Sequence, residues 1–168
     1  RGSRDWLVFR LAETYILAGE AFMKAGNTGN AATYINVLRR AAAHPGTYWR
    51  RFRGLEEYDY PGTWKLLDTP FGRPDILHCH NLHGNYFDLS ALPWLASRTI
   101  LVVTLHDAWL LGGHCAHSLD CERWKTGCGR CPNLKLYPAV RRDATAQNWL
   151  RKRAIHACSR LHIATPSH

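Results

Sequence analysis

The stretch from Thr99 to Pro132, TILVVTLHDAWLLGGHCAHSLDCERWKTGCGRCP, constrains this chain more than any other. Ile100-Leu101-Val102-Val103 is a continuous run of β-branched residues and leucine, the composition of a buried strand in a parallel sheet. The run stops at Thr104-Leu105-His106-Asp107, which sets polar groups at the carboxyl end of that strand. Ligands of open α/β sheets collect at that end. Directly afterwards come Cys115, Cys121, Cys128 and Cys131, spaced C-x5-C-x6-C-x2-C. Apolar strand, charged tip and sulfur-rich loop together predict a functional rim.

Cys79 and Cys158 stand apart from that cluster. A secreted disulfide scaffold distributes its pairs over a short chain, whereas local clustering inside an α/β pattern favours a reducing compartment and a metal. Thiolates of Cys115, Cys121, Cys128 and Cys131 fit a structural zinc site, with His114 or His117 able to replace one sulfur. Gly127 and Gly129 allow backbone amides to turn toward sulfur. Packed reduced thiols, disulfides and a redox pair at Cys128/Cys131 are the other readings, and the spacing does not choose among them. The net charge of +9 is spread along the chain, with six Lys/Arg against three acids in residues 1–46 and sixteen against ten in residues 47–168. Such a balance suits anionic partners or a solvated basic surface. No apolar run approaches a membrane span. With no initiating Met, leader or lipidation pattern, the sequence is expected to be an internal piece of something longer.

Residues 5–43 read as a helical hairpin. Val8, Leu11, Tyr15, Ala18 and Phe22 recur at three- and four-residue steps, Gly26-Asn27 ends that helix, and Asn30 is expected to cap a second one carrying Ala31, Ile35, Leu38 and Ala42. His44-Pro45-Gly46 is expected to break the helical pattern, and residues 47–73 to be loop-like, with a short helix at Trp64–Leu67. A strand is expected at Ile76–His80, ending in the polar loop Asn81-Leu82-His83-Gly84. A helix should begin near Asp88, a second strand should run from Thr99 to His106, and Asp143 should cap a helix reaching Ala157. That last helix should bury Ala146, Trp149, Leu150, Ala154 and Ala157, leaving Arg151, Lys152 and Arg153 largely outside the stripe. A third strand follows at Arg160–Thr165. Strand, helix, strand, insert, helix, strand is the alternation of a parallel α/β sheet, and right-handed crossovers would bring the three polar tips to one edge.

Two resemblances add to this reading. Arg1-Gly2-Ser3-Arg4-Asp5, Phe9-Arg10-Leu11-Ala12-Glu13-Thr14-Tyr15, Ala25-Gly26-Asn27-Thr28 and Tyr34-Ile35-Asn36-Val37-Leu38-Arg39 resemble the carboxy-terminal helical region of SusD/RagB-type glycan-binding lipoproteins. From about residue 50 onward the chain resembles the amino-terminal domain of family-four glycosyltransferases, the GT-B group. The motifs carrying this are Arg53-Gly54-Leu55-Glu56-Glu57-Tyr58-Asp59-Tyr60-Pro61-Gly62-Thr63, Pro74-Asp75-Ile76-Leu77-His78-Cys79-His80-Asn81-Leu82-His83-Gly84 and Thr104-Leu105-His106-Asp107-Ala108-Trp109. Cys121-Glu122-Arg123-Trp124-Lys125-Thr126-Gly127-Cys128 and Ala164-Thr165-Pro166-Ser167 complete them.

The second resemblance implies a partial Rossmann-like parallel sheet preceded by an α-helical hairpin, with domains at 1–46 and 47–168 and a seam near residues 44–48. It implies a retaining transferase that moves a sugar from a nucleotide-sugar to a glycan or lipid-linked acceptor in polysaccharide biosynthesis. No nucleic-acid partner is implied, and the place of work is the cytoplasm, at the periphery of the inner membrane. Substrate contacts carry over to His106, Asp107, His80, Asn81 and Gly84. His106 would touch the donor sugar, Asp107 would fix its imidazole or the loop, and Gly84 would admit close backbone approach. No residue inherits a catalytic role. The family's first strand with its glycine-rich loop, and its second domain with paired glutamates, have no counterpart in these residues, so the chain alone is expected to be inactive. The first resemblance implies the alternative, a non-enzymatic glycan-binding module.

Overall fold

Three short parallel strands frame the computed structural model, which describes residues 11–31, 45–56, 58–68, 73–84 and 86–166. They are β1 (Ile76–His80), β2 (Ile100–Thr104) and β3 (Leu161–Ala164), hydrogen-bonded in the order β1-β2-β3. Ile76 pairs with Ile100 and His80 with Thr104, while Leu101 pairs with Leu161 and Thr104 with Ala164. All strands point the same way in this register, so the residues that follow them leave along one edge. The predicted α/β alternation is present, with β1 equal to its expected span and β2 and β3 three and two residues shorter than theirs.

Helical segments make both connections. A 3-10 turn, Leu89–Ala91, runs into a short helix we label α3 (Leu92–Ala96), and α4 (Thr145–Ala157) precedes β3. Asp88 opens the first of these as expected, accepting from the Ser90 N–H at 2.9 Å, and it is held by the Trp64 indole N–H at 3.0 Å. Leu89, Leu92 and Leu95 bury their side chains completely against Leu101 and Val103. Each such leucine contributes about 1.5–3 kcal/mol of burial free energy. Among the described residues the sheet is covered on that face alone. Ile76 remains 57% and Ile100 52% exposed, which corrects the expectation of a strand buried on both sides. Alternation along β2 turns Leu101 and Val103 inward and their neighbours outward.

The amino-terminal helix, α1, spans Leu11–Lys24. It closes at Gly26, φ +75°, with the Gly26 N–H on the Met23 carbonyl at 3.0 Å and the Asn27 N–H on the Phe22 carbonyl at 2.8 Å. A new helical turn starts at once over residues 28–31, and its cap is Asn27, whose Oδ1 accepts from the Asn30 N–H at 3.1 Å. The cap therefore lies three residues before the expected Asn30, because one asparagine ends the first helix and starts the second. The remainder of that helix, with Ile35, Leu38 and Ala42, lies outside the described residues, as does Val8.

Three further expectations are corrected. The His44-Pro45-Gly46 break is a helix start: α2 runs Pro45–Phe52, and proline is well suited to the first helical position. It ends at Gly54, φ +77°, where a Cβ would lie 1.8 Å from the Arg142 carbonyl oxygen. The short helix expected at Trp64–Leu67 is a 3-10 helix at Pro61–Lys65. In α4 the buried residues are Thr145, Asn148 and Lys152, whereas Leu150 is 59% exposed. Asp143 does hold the start of α4, its Oδ1 accepting from the Thr145 N–H at 3.0 Å, though Ala144 occupies the cap position itself.

Candidate functional site

Register alone brings a row of imidazoles to the carboxyl edge. His78 and His80 point to the same side of β1, with rings 4.2 Å apart, and the His78 Nε2 lies 2.8 Å from the Thr104 Oγ1 across the ladder. Where β2 ends, His106 stacks on His80 at 5.1 Å between ring centres, and its Nε2 is 2.8 Å from the His80 Nδ1. One proton must lie between those two nitrogens, so one ring donates and the other accepts. Burial, followed by the neighbouring His78 and His106, holds His80 below the usual histidine range. The chain turns away through Asn81 at φ +43° and Gly84 at φ +110°. At Gly84 it is the backbone angle that demands glycine, since a Cβ would meet only Tyr86 at an ordinary 3.5 Å.

Asp107 is not the partner of His106. Its Oδ2 lies 2.7 Å from the His83 Nε2, and its Oδ1 accepts from the Trp109 N–H at 2.9 Å. Burial works to raise its pKa, but the bonds from His83 and Trp109 outweigh that and hold the carboxyl below its ordinary value. Histidine 83, quoted in the sequence motif yet not assigned a contact, thus takes the orienting bond expected for His106. A cavity of about 310 Å³ opens beside this pair, lined by Leu82, His83, Gly84, Phe87, Trp109 and Tyr137, with Arg51 and Arg141 at its margin. The described edge therefore holds the five expected substrate residues near one another, with His80 and His106 joined directly and Asp107 turned toward the cavity through His83.

The loop after β2 wraps a second, smaller cavity of about 30 Å³, whose wall includes Cys115, Cys121, Cys128, Cys131 and His114. All six cysteines are free. Burial pushes the thiols of Cys115 and Cys128 up, and the neighbouring cysteines add to the shift. Among the described residues, no three Cys, His, Asp or Glu side chains stand at metal-ligating separations.

Behind the rim lies a group that the apolar stripe concealed. Lys152, 1% exposed, places its Nζ 2.8 Å from the Glu56 Oε2 and donates to the Trp109 and Gly112 carbonyls at 2.7 and 3.0 Å. The same ammonium lies 3.8 Å from the centre of the Trp109 ring. Burial pushes Glu56 up and Lys152 down, and each partner opposes the other's shift. Asn148 adds two bonds, one from the Glu56 N–H at 3.1 Å and one to the Gly54 carbonyl at 3.0 Å. The signal in the sequence was a polar stripe, Thr145, Asn148 and Lys152, at the three- and four-residue steps of an apolar one.

Residues 1–51 match the family model described as the SusD family. A protein of Escherichia coli strain K12 named "Putative colanic acid biosynthesis glycosyl transferase WcaC" is 40% identical over 81 residues, which is 44% of this chain. The chain spans 20% of the length of that relative. No solved structure matches. Both resemblances read in the sequence therefore stand, one at the amino-terminal part and one to a glycosyl transferase, as in a chimera of the two.

Proposed function

We propose that this chain carries the acceptor-side wall of a GT-B glycosyltransferase, built on a partial Rossmann-like sheet and joined to a SusD-like helical segment of residues 1–46. The observation that carries the reading is the 40% identity over 81 residues with a protein named as a glycosyl transferase. On this reading the parent enzyme moves a sugar from a nucleotide-sugar to a glycan or lipid-linked acceptor during polysaccharide synthesis, with retention at the anomeric carbon. Its place is the cytoplasmic side of the inner membrane, where the net charge of +9 favours peripheral attachment to anionic lipid.

The edge geometry gives each residue work to do. His106 is exposed and spends its Nε2 on His80, which leaves its Nδ1 for a hydroxyl of the donor sugar. Asp107 fixes the His83 imidazole at the mouth of the larger cavity, and His83 presents that ring to the acceptor. Asn81 and Gly84 supply the bend that keeps the loop clear of the edge.

These residues form one wall of a cleft. Transfer needs donor and acceptor held at near-attack distance by two walls, and stabilisation of the departing diphosphate. Calorimetry of the 168-residue chain with UDP- and GDP-sugars should give weak binding that fades with salt, and a radiolabel assay should show no transfer. Robust turnover that disappears on His106→Ala would overturn the assignment of an incomplete site.

The match of residues 1–51 favours a second reading, a non-enzymatic glycan-binding module. NMR titration with neutral oligosaccharides separates the two. Shifts at Trp109 and Tyr137 support the transferase wall, and shifts confined to residues 17–31 support the module.

A further inference from the structure

We propose that the loop after β2 folds around one structural zinc ion, seated in the cavity between His114 and the cysteines. Two donors already stand as an edge of the coordination tetrahedron. The His114 Nε2 and the Cys131 Sγ are 3.4 Å apart. Zinc at about 2.3 Å from sulfur and about 2.0 Å from nitrogen, with a tetrahedral angle, sets those two atoms about 3.5 Å apart.

The tautomer of a neutral His114 is fixed by its surroundings. The residue is 1% exposed, and its Nδ1 lies 2.9 Å from the Pro138 carbonyl oxygen. A carbonyl only accepts, so in the neutral ring Nδ1 carries the proton and Nε2 offers its lone pair to the cavity. A histidine oriented by a carbonyl through its far nitrogen is the usual support of a metal ligand.

The sulfur side is also prepared. The Cys128 Sγ accepts from the Gly113 N–H at 3.2 Å, a bond that steadies a thiolate. The Cys131 N–H is tied to the Asp143 Oδ2 at 2.7 Å. Gly127 and Gly129, both at φ +127°, bend the chain so that Cys128 faces inward. Cys115 and Cys121 share the cavity wall, and its volume of about 30 Å³ accommodates an ion or a water, not a sugar. Because fewer than three donors stand at ligating separation, binding must draw further thiols of Cys115, Cys121 and Cys128 toward the His114–Cys131 edge. Each thiol that binds releases its proton to solvent. Arg123, on the wall of the cavity, and Lys152, on the Gly112 carbonyl, offset the resulting negative charge. No sugar contact enters this inference, so it stands or falls apart from the transferase reading.

The test uses the full chain, purified without chelator or histidine tag. Elemental analysis should find about one zinc per chain. After stripping, titration with Co²⁺ should give the strong visible bands of a four-coordinate thiolate site, and Zn²⁺ should abolish them. Cys131→Ser and Cys128→Ser should weaken binding by about tenfold or more, while Cys158→Ser should leave it unchanged. If the serine variants do not fold, the cobalt spectrum of the stripped wild-type chain still decides. A folded, zinc-free chain with a weak octahedral cobalt spectrum overturns the site. Unchanged affinity in His114→Gln overturns the part assigned to the histidine.

Discussion

The carboxyl edge of the sheet and the sulfur-rich loop adjoin one another, yet they are positioned by different forces. At the edge, a ladder of backbone bonds does the work. Once Ile76 pairs with Ile100, the pairing of His80 with Thr104 follows, His78 comes within reach of Thr104 on the same side, and His106, two residues beyond β2, leaves the edge next to His80. The loop has no ladder beyond the 3-10 turn Arg123–Lys125. Its shape rests on glycines at unusual angles, on single bonds such as Cys131 to Asp143, and on Lys152, which seizes two carbonyls at the start of the loop. A site built on a ladder tolerates the loss of any one contact. A site built on isolated bonds does not.

The largest effect should come from Lys152→Ala, which leaves Glu56 buried without its cation and takes a donor from the Trp109 and Gly112 carbonyls. A loss of about 3–5 kcal/mol in urea unfolding is expected, with the paired replacement Lys152→Met and Glu56→Leu recovering much of it. Equal losses in the single and the paired variant would mean that packing, not charge, is what the lysine supplies.

Next comes the sheet itself. Leu101→Ala should cost about 2–5 kcal/mol, because its side chain is fully buried. Ile100→Ala, one residue away on the uncovered face, should stay within about 0.5 kcal/mol in the same measurement. Comparable costs would show that the open face is covered in solution.

Gly113→Ala would set a Cβ 2.5 Å from the Thr145 carbonyl oxygen and 2.9 Å from the Cys128 Cβ. The expected cost is about 1–3 kcal/mol, together with faster reaction of the loop thiols with a disulfide reagent. Unaltered thiol reactivity would show that the loop does not depend on this close packing.

The smallest effect is in pH. Burial holds the pKa of both His80 and His156 below the ordinary histidine value, so the unfolded chain takes up protons before the folded one does. Their stabilisation is complete above the unperturbed value of about 6.5 and declines as pH falls below it. Asp107, also held low, acts in the same direction further down, its contribution being lost as pH falls through its folded value. The thermal midpoint should be level from about pH 8 to 7 and fall toward pH 5, less steeply in His156→Gln. A level profile throughout would remove the histidines from the account.

The strands were legible because their signal is local. Ile76–His80 was placed to the residue, and Ile100–Thr104 and Leu161–Ala164 lie within the expected spans. The Asp88 cap was legible for the same reason. What the sequence hid depends on distant partners. The burial of Lys152 makes sense only with Glu56, and that of Asn148 only with Gly54, and neither partner lies in the same helix. Asp107 holds the loop through the Trp109 N–H, one of its two expected roles, while the imidazole it meets is that of His83, its neighbour in space, and not that of His106, its neighbour in sequence. At the sulfur-rich loop, spacing identified the donors but not their arrangement, and it did not reveal that the Pro138 carbonyl fixes the tautomer of His114.

The bond between Lys152 and Glu56 joins residues 96 positions apart. On a ribosome adding roughly 5–20 residues per second, Glu56 therefore waits on the order of 5–20 seconds for its cation. During that interval the carboxylate must stay in water, and the Trp109 and Gly112 carbonyls lack the ammonium that draws them together. The sulfur-rich loop is made inside the same window, so its thiols emerge before the group that anchors them. Assembly of the rim is thus timed by the arrival of α4, and for this stretch of chain the order of synthesis runs opposite to the order of dependence.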